Sequence, residues 1–190
     1  MEISFHPDSS SREKYTVWDD YVPIVSKDNT HIVYISDSIE SPANYAKLCF
    51  LLDSATEEDT FVININSPGG NLDSAFQIRD SIITSKAATK IVKLAGVVAS
   101  AATIIALAGD KLYVAPHTQF MVHNYSSGTQ GKGHELIAYI NFNDKSIREA
   151  LFEIYLGFLT KGEIDKVIKG EDMWFTADEV EKRFAKLKVR

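Results

Sequence analysis

The chain of 190 residues has a single cysteine, Cys49, so no disulfide can form within it and its fold does not depend on an oxidising compartment. It has no block of Lys and Arg, and its formal net charge is −6. A sequence-independent nucleic-acid binder needs a basic surface to displace counterions from phosphates, so this balance argues against that class. The opening stretch, MEISFHPDSSSREKY, lacks the basic segment followed by an apolar run that marks a secretory signal. No apolar run reaches the roughly 20 residues that cross a bilayer. The nearest, Leu94 to Ala108, is too short and is interrupted by Gly96, Ser100 and Thr103. Repeats, low-complexity segments and internal linkers are also missing. What remains is a composition of 45% hydrophobic and 24% charged residues, ordinary for a globular domain and long enough to bury a sizeable core. The expectation is one soluble, cytoplasmic domain with neither nucleic-acid nor membrane partners.

Residues 1–20 are polar and serine-rich and read as a flexible arm, with Tyr15, Trp18 and the adjoining Tyr21 as its docking candidates. Strands are expected at 31–36 (HIVYIS), 60–66 (TFVININ), 89–96 (TKIVKLAG), 111–114 and 119–122. A helix is expected over 41–55, with Ser41 as N-cap and Pro42 in the first turn. Another is expected over 72–83, where Leu72, Ala75, Phe76, Ile78, Ile82 and Ile83 recur at helical spacing. A nearly all-apolar helix should follow Ser100 and be buried. A long helical stretch runs from about 133 to 159, carrying Leu136, Ile140, Ile147, Leu151, Ile154 and Leu159. TKGE (160–163) and TADE (176–179) fit the capping box and open two short helices. Strands alternating with helices predict βαβ units and a parallel sheet.

Two strand-to-helix turns carry candidate chemistry. In INSPGGN, Gly69 and Gly70 permit positive φ and close approach of a ligand, and the amides of the following helix attract developing negative charge. In GVVASAA, Ser100 stands where a strand gives way to a helix, with the amide of Ala101 free to donate. A serine hydroxyl is a weak nucleophile and needs a base within hydrogen-bond reach. Of the five histidines, His6 lies in the arm, His31 begins a strand, His117 sits in a loop and His134 opens the long helix. His123 ends the strand QFMVH, at the sheet edge where ligands of α/β proteins bind, and is the best-placed base. An orienting carboxylate completes such a set. The 26 acidic residues leave its identity open; Asp172, beside a short strand before the last helix, is one candidate.

The blocks INSPGGNLDSA, LAGVVASAAT, QFMVHNYSSGTQG and EDMWFTADEV, in this order and spacing, resemble the signature blocks of the proteolytic subunit of the Clp protease. The resemblance covers roughly residues 22 to 184. It implies an α/β fold, a crotonase-like β/α spiral with a long protruding handle helix over about 133–159, within one peptidase domain spanning 21–190. It implies a serine endopeptidase acting on peptides or unfolded proteins, with Ser100 as nucleophile, His123 as base, Asp172 as orienting acid, and the N–H groups of Gly70 and Ala101 as oxyanion donors. Gly69 and the loop Gly128, Thr129, Gln130 and Gly131 would contact substrate. No metal or cofactor is implied. The assembly implied is two stacked rings, heptamers in the family, enclosing a chamber fed by an AAA+ unfoldase. This chain has no G-x-x-x-x-G-K-[ST] motif, so ATP dependence would come from that partner.

The chain departs from the family pattern in several places. Ala101-Ala102 replaces Met-Gly after the nucleophile, and Asn124-Tyr125 follows His123 where a polar residue and then proline are usual. The end, FAKLKVR, lacks the expected glycine and strand-like tail, and the N-terminal arm is unusually polar. Divergence of this kind suits a phage or plasmid version. Three other readings are a ring subunit without activity, a crotonase-fold acyl-CoA enzyme, and a membrane-linked peptidase with a Ser–Lys dyad. The first should have lost a triad residue, the second needs a coenzyme A site, and the third needs a membrane anchor.

Overall fold

The computed structural model describes residues 16–18 and 21–187, and in it the chain is a mixed α/β structure built on one eight-stranded sheet. β1 (Thr16–Trp18), β2 (Ile24–Lys27) and β3 (Thr30–Ser36) form an antiparallel meander. A 3₁₀ turn (Pro42–Tyr45) leads into α1 (Ala46–Asp53), β4 (Thr60–Ser67), α2 (Leu72–Thr84) and β5 (Thr89–Ala99). Then come α3 (Ala101–Ala106), β6 (Lys111–Val114), β7 (Gln119–Val122), α4 (Gly133–Tyr155), α5 (Lys161–Ile168), β8 (Met173–Phe175) and α6 (Ala177–Phe184). β3, β4 and β5 are parallel, β6 and β7 both pair in parallel with β5, and β8 closes antiparallel on β7.

The alternation in β4 sets the layers. Phe61, Ile63 and Ile65 face inward with Val33 and Ile35 of β3 and Val92 and Leu94 of β5. They belong to one buried core with Leu48 and Leu52 of α1, Ala75, Ile78 and Ile82 of α2, and all of α3. Alternate positions, Tyr34, Asn64, Lys93 and Tyr113, form one register row on the other face, where Tyr34 and Tyr113 are exposed. A second part of the core, Phe120, Phe158 and Phe175, packs its rings tilted and edge to face with centroids 5.4 to 6.4 Å apart. The guanidinium of Arg183 lies 4.7 Å from the Phe175 ring centre.

Several expectations are revised. The strand expected over 89–96 runs on to Ala99, because Gly96 makes a bulge and does not end it. Two more residues of β5 than of β4 lie between the pairs Ile65–Leu94 and Ser67–Val98, and Asn66 Oδ1 accepts the N–H of Val97 at 3.1 Å. Gly96 has φ +64, and a Cβ there would lie 2.5 Å from Asn66 Oδ1. Beyond the bulge β5 leaves β6 and pairs with β7. The long helix stops at Tyr155: the chain turns at Gly157, where the N–H of Leu159 returns to the carbonyl of Tyr155 at 2.7 Å, so Leu159 lies outside the helix. The helix expected over 41–55 begins as a 3₁₀ turn, and Ser41 holds the N-cap position without a side-chain hydrogen bond. The hairpin of β2 and β3 is not among the expected elements; Asp28, at φ 51, makes its two-residue turn with Asn29. Of the expected arm, Thr16–Trp18 is strand β1, and 1–15, 19 and 20 lie outside the described residues.

Both expected capping boxes form, at Thr160 with Glu163 and at Thr176 with Glu179. Glu163 also takes two hydrogen bonds from Arg183, at 2.7 and 3.1 Å, which ties α5 to α6. These bonds, with those from Thr160, hold its carboxyl down at about 2. A carboxyl depressed in the folded state stabilises fully above its unfolded pKa of roughly 4.3, and that contribution fades as pH falls through the folded value. Glu163→Gln is therefore expected to cost about 1–2 kcal/mol at pH 7. In denaturation curves the gap to the wild type should close between roughly pH 4.3 and pH 2. A gap that stays constant over that range would show that the carboxylate charge contributes nothing.

Candidate active site

Strand β5 ends at Ala99, and Ser100 turns the chain directly into α3 with φ 55 and ψ −129. An L residue at this conformation costs on the order of 1–3 kcal/mol and persists only where its surroundings hold it. Those surroundings are specific. The N–H of Ser100 donates to the carbonyl of Met121 at 2.9 Å, which fastens the turn to β7. The carbonyl of Ser100 accepts from the N–H of Thr103 at 2.9 Å and from the Thr103 hydroxyl at 2.6 Å. Ala101 is the first residue of α3, so its N–H has no partner within the helix.

The turn after β4 lies against this elbow. Gly69 and Gly70 have φ +99 and +145. A Cβ on Gly69 would fall 2.6 Å from the carbonyl of Ala99, 2.7 Å from Ser100 Cβ and 3.0 Å from the Ala101 nitrogen. The two turns are in contact only because residue 69 has no side chain. Ile39 donates to the carbonyl of Gly69 at 2.8 Å and accepts from Asn71 at 2.7 Å, a parallel bridge on one side of Gly70. In such a bridge the N–H of the middle residue points the other way, and no described group accepts the N–H of Gly70. The N–H groups of Ala101, next to Ser100, and of Gly70, in the turn that touches it, are thus both without a described acceptor.

His123 follows β7 directly, and its Nε2 lies 2.6 Å from Ser100 Oγ. β7 pairs with the last residues of β5, so the register that fixes Ser100 also fixes the histidine. Asp172 precedes β8. The last pair of β7 and β8 is Val122 with Met173, and one further step sets His123 opposite Asp172. Asp172 is exposed, and no hydrogen bond joins it to His123. The structure therefore brings Ser100 and His123 together, and Asp172 lies one register step beyond the last β7–β8 pair with no hydrogen bond to His123. Asn124, noticed in the sequence only as a departure, has a role: its Nδ2 donates to the carbonyl of Ile168 at 3.0 Å and its Oδ1 accepts from the N–H of Tyr125 at 2.9 Å. It ties the segment after His123 to the last residue of α5, four residues before Asp172.

The Clp protease family model matches residues 14–183. The chain belongs to the Clp protease family. It is 29% identical over 155 residues to the ATP-dependent Clp protease proteolytic subunit 1 of Chlamydia caviae, covering 77% of this chain and 80% of that one. Identity is 30% over 154 residues to the protein of the same name from Protochlamydia amoebophila, covering 77% and 74%. It is 29% over 138 residues to the proteolytic subunit 2 of Treponema denticola, covering 70% and 68%.

This Clp-family chain also holds a hydrogen-bonded Ser–His–Asp group elsewhere. Ser26 Oγ is 2.8 Å from His31 Nδ1, and His31 Nε2 is 3.1 Å from Asp59 Oδ1. Ser26 stands inside β2, which is paired on both sides, so the strand has ladder partners where the elbow has free amides. His31 stacks on Phe61 at 4.6 Å, and the other Asp59 oxygen accepts from Thr56 at 2.7 Å. This set staples the β2–β3 hairpin to the turn before β4 and lacks the backbone geometry of a nucleophile. The remaining expected residues, Gly128, Thr129, Gln130 and Gly131, lie exposed in the irregular segment between β7 and α4, and no described contact joins them to Ser100.

The closeness of the two turns makes a stability prediction. Gly69→Ala is expected to cost several kcal/mol, since its Cβ meets backbone and φ is positive. Gly128→Ala, with nothing within 4 Å, should change stability by no more than about 0.5 kcal/mol. Chemical denaturation of both variants checks this, and equal effects would contradict the packing described.

Proposed function

We propose that this chain is a serine endopeptidase of the Clp type, cleaving peptides or unfolded proteins by acyl transfer. The observation that carries the reading is the 2.6 Å approach of His123 Nε2 to Ser100 Oγ at a positive-φ elbow. Ser100 Oγ attacks the peptide carbonyl carbon while His123 Nε2 takes its proton. The oxyanion of the tetrahedral intermediate is received by the N–H groups of Gly70 and Ala101, each such donor being worth on the order of 10²–10³ in rate. His123 returns the proton to the leaving amine, and water then releases the acyl group by the same route. Asp172 serves as the orienting acid for His123 Nδ1, a role supported by its register position and requiring its exposed side chain to turn toward the ring. Gly69 lets the turn after β4 close against Ser100, and Gly128 to Gly131 offer extended backbone to the substrate.

The assembly proposed is the family's: two stacked rings, heptameric, around a chamber, with an AAA+ unfoldase supplying substrate and the energy of ATP. A helix that stacks rings, the handle of a crotonase-like spiral, is supported by α4. None of residues 133–150 is buried, and Ile137, Tyr139, Ile140 and Phe142 are 48 to 69% exposed. Apolar side chains exposed in this number, Ile137 and Ile140 on one side of the helix and Tyr139 and Phe142 on the other, call for covering partners. No helix among the described residues is long and apolar enough to cross a membrane, and the working compartment proposed is the cytoplasm.

Labelling with a small fluorophosphonate, read by intact mass, tests the site. One adduct is expected on the wild type and none on Ser100→Ala. His123→Gln should lower peptide hydrolysis by about 10⁴-fold, because the base is lost. Activity surviving in His123→Gln would point to another base, and an unlabelled but folded and oligomeric wild type would favour a subunit without activity.

A further inference from the structure

We infer that Tyr155 and Thr103 are positioning residues for the oxyanion donor of Ala101, an assignment that rests on the peptidase reading of Ser100 above. The Thr103 hydroxyl has one proton and gives it to the carbonyl of Ser100 at 2.6 Å. Its 2.5 Å contact with the Tyr155 hydroxyl must then be donated by the tyrosine. The order is thus Tyr155 O–H to Thr103 Oγ1, and Thr103 O–H to the carbonyl of Ser100. Thr103 is fully buried and Tyr155 nearly so. Burial raises the phenol pKa well above its ordinary value, so it stays a neutral donor across the working range.

The carbonyl of Ser100 and the N–H of Ala101 are two ends of one planar peptide unit. In a trans unit they point in opposite directions, so fixing one aims the other. The N–H of Thr103 alone would close an ordinary helical turn. The added hydroxyl bond, polarised by Tyr155, locks the plane at a residue whose φ and ψ would otherwise relax. Tyr155 is the last residue of α4, so the buried end of the long helix supports the amide that meets the oxyanion. The donor is needed most in the transition state, where charge reaches the carbonyl oxygen. Loosening it should therefore lower kcat and leave KM nearly unchanged.

The experiment compares wild type, Tyr155→Phe, Thr103→Val and Thr103→Ser, with each rate normalised to fluorophosphonate-titrated sites and each fold checked by melting. Tyr155→Phe keeps the ring and loses only the oxygen. It is expected to reduce kcat and the labelling rate about 3–10-fold, and Thr103→Val about 10–100-fold, both with KM within about twofold. Thr103→Ser keeps the hydroxyl and should recover most of what Thr103→Val loses. Lower melting temperatures with unchanged kcat per titrated site would mean a merely structural bond and overturn the assignment. So would losses confined to KM. A wild type that neither labels nor hydrolyses would instead overturn the peptidase reading, so the two failures are distinguishable.

Discussion

Ser100 holds a backbone conformation that side-chain-bearing residues avoid, and its neighbourhood is arranged to keep it there. Three independent connections meet at this residue. Its N–H is tied to β7, its carbonyl to α3 and through Thr103 to α4, and its Cβ touches the glycine turn after β4. Each connection also fixes a group around the serine: β7 delivers His123, α3 presents the amide of Ala101, and the glycine turn leaves the amide of Gly70 unused. The strain at one residue is therefore inseparable from the arrangement of the site. A relaxed Ser100 would misplace its hydroxyl and the adjacent amide together.

That arrangement depends on a bend further back. β5 begins as the neighbour of β6 and ends as the neighbour of β7, and the change is made at the bulge of Gly96 held by Asn66. A polar residue at the end of β4 and a glycine in β5 thus mark the point beyond which β5 pairs with the strand that leads to the histidine. The hairpin staple of Ser26, His31 and Asp59 shows the converse: the same three residue types on regular strands hold two segments together without free amides beside the serine.

Much of this was legible in the sequence, for reasons that can be named. β4, α2, β6 and β7 follow directly from hydrophobic period, and the two C-terminal helices from their capping boxes. Ser100 and His123 stand out because each sits where a strand ends at the sheet edge. The bulge is not legible because a glycine inside an apolar run signals an end as readily as a kink, and its partner, Asn66, lies thirty residues away. The expected helix runs past Tyr155 because Leu159 continues an apolar helical pattern that the turn at Gly157 overrides. Thr103 and Tyr155 could not be paired from sequence, being 52 residues apart with no local signal. The orienting carboxylate is undetermined by spacing for the same reason, and only the register of β7 with β8 sets Asp172 opposite His123.

A crystal structure of the protein inactivated with a peptide-like phosphonate tests the central claim most directly. If the two turns form one acyl-transfer site, phosphorus is bonded to Ser100 Oγ, and one phosphonyl oxygen lies about 2.7–3.1 Å from the nitrogens of both Gly70 and Ala101. An adduct on another residue, or a phosphonyl oxygen on Ser100 turned away from both amides, would contradict the claim.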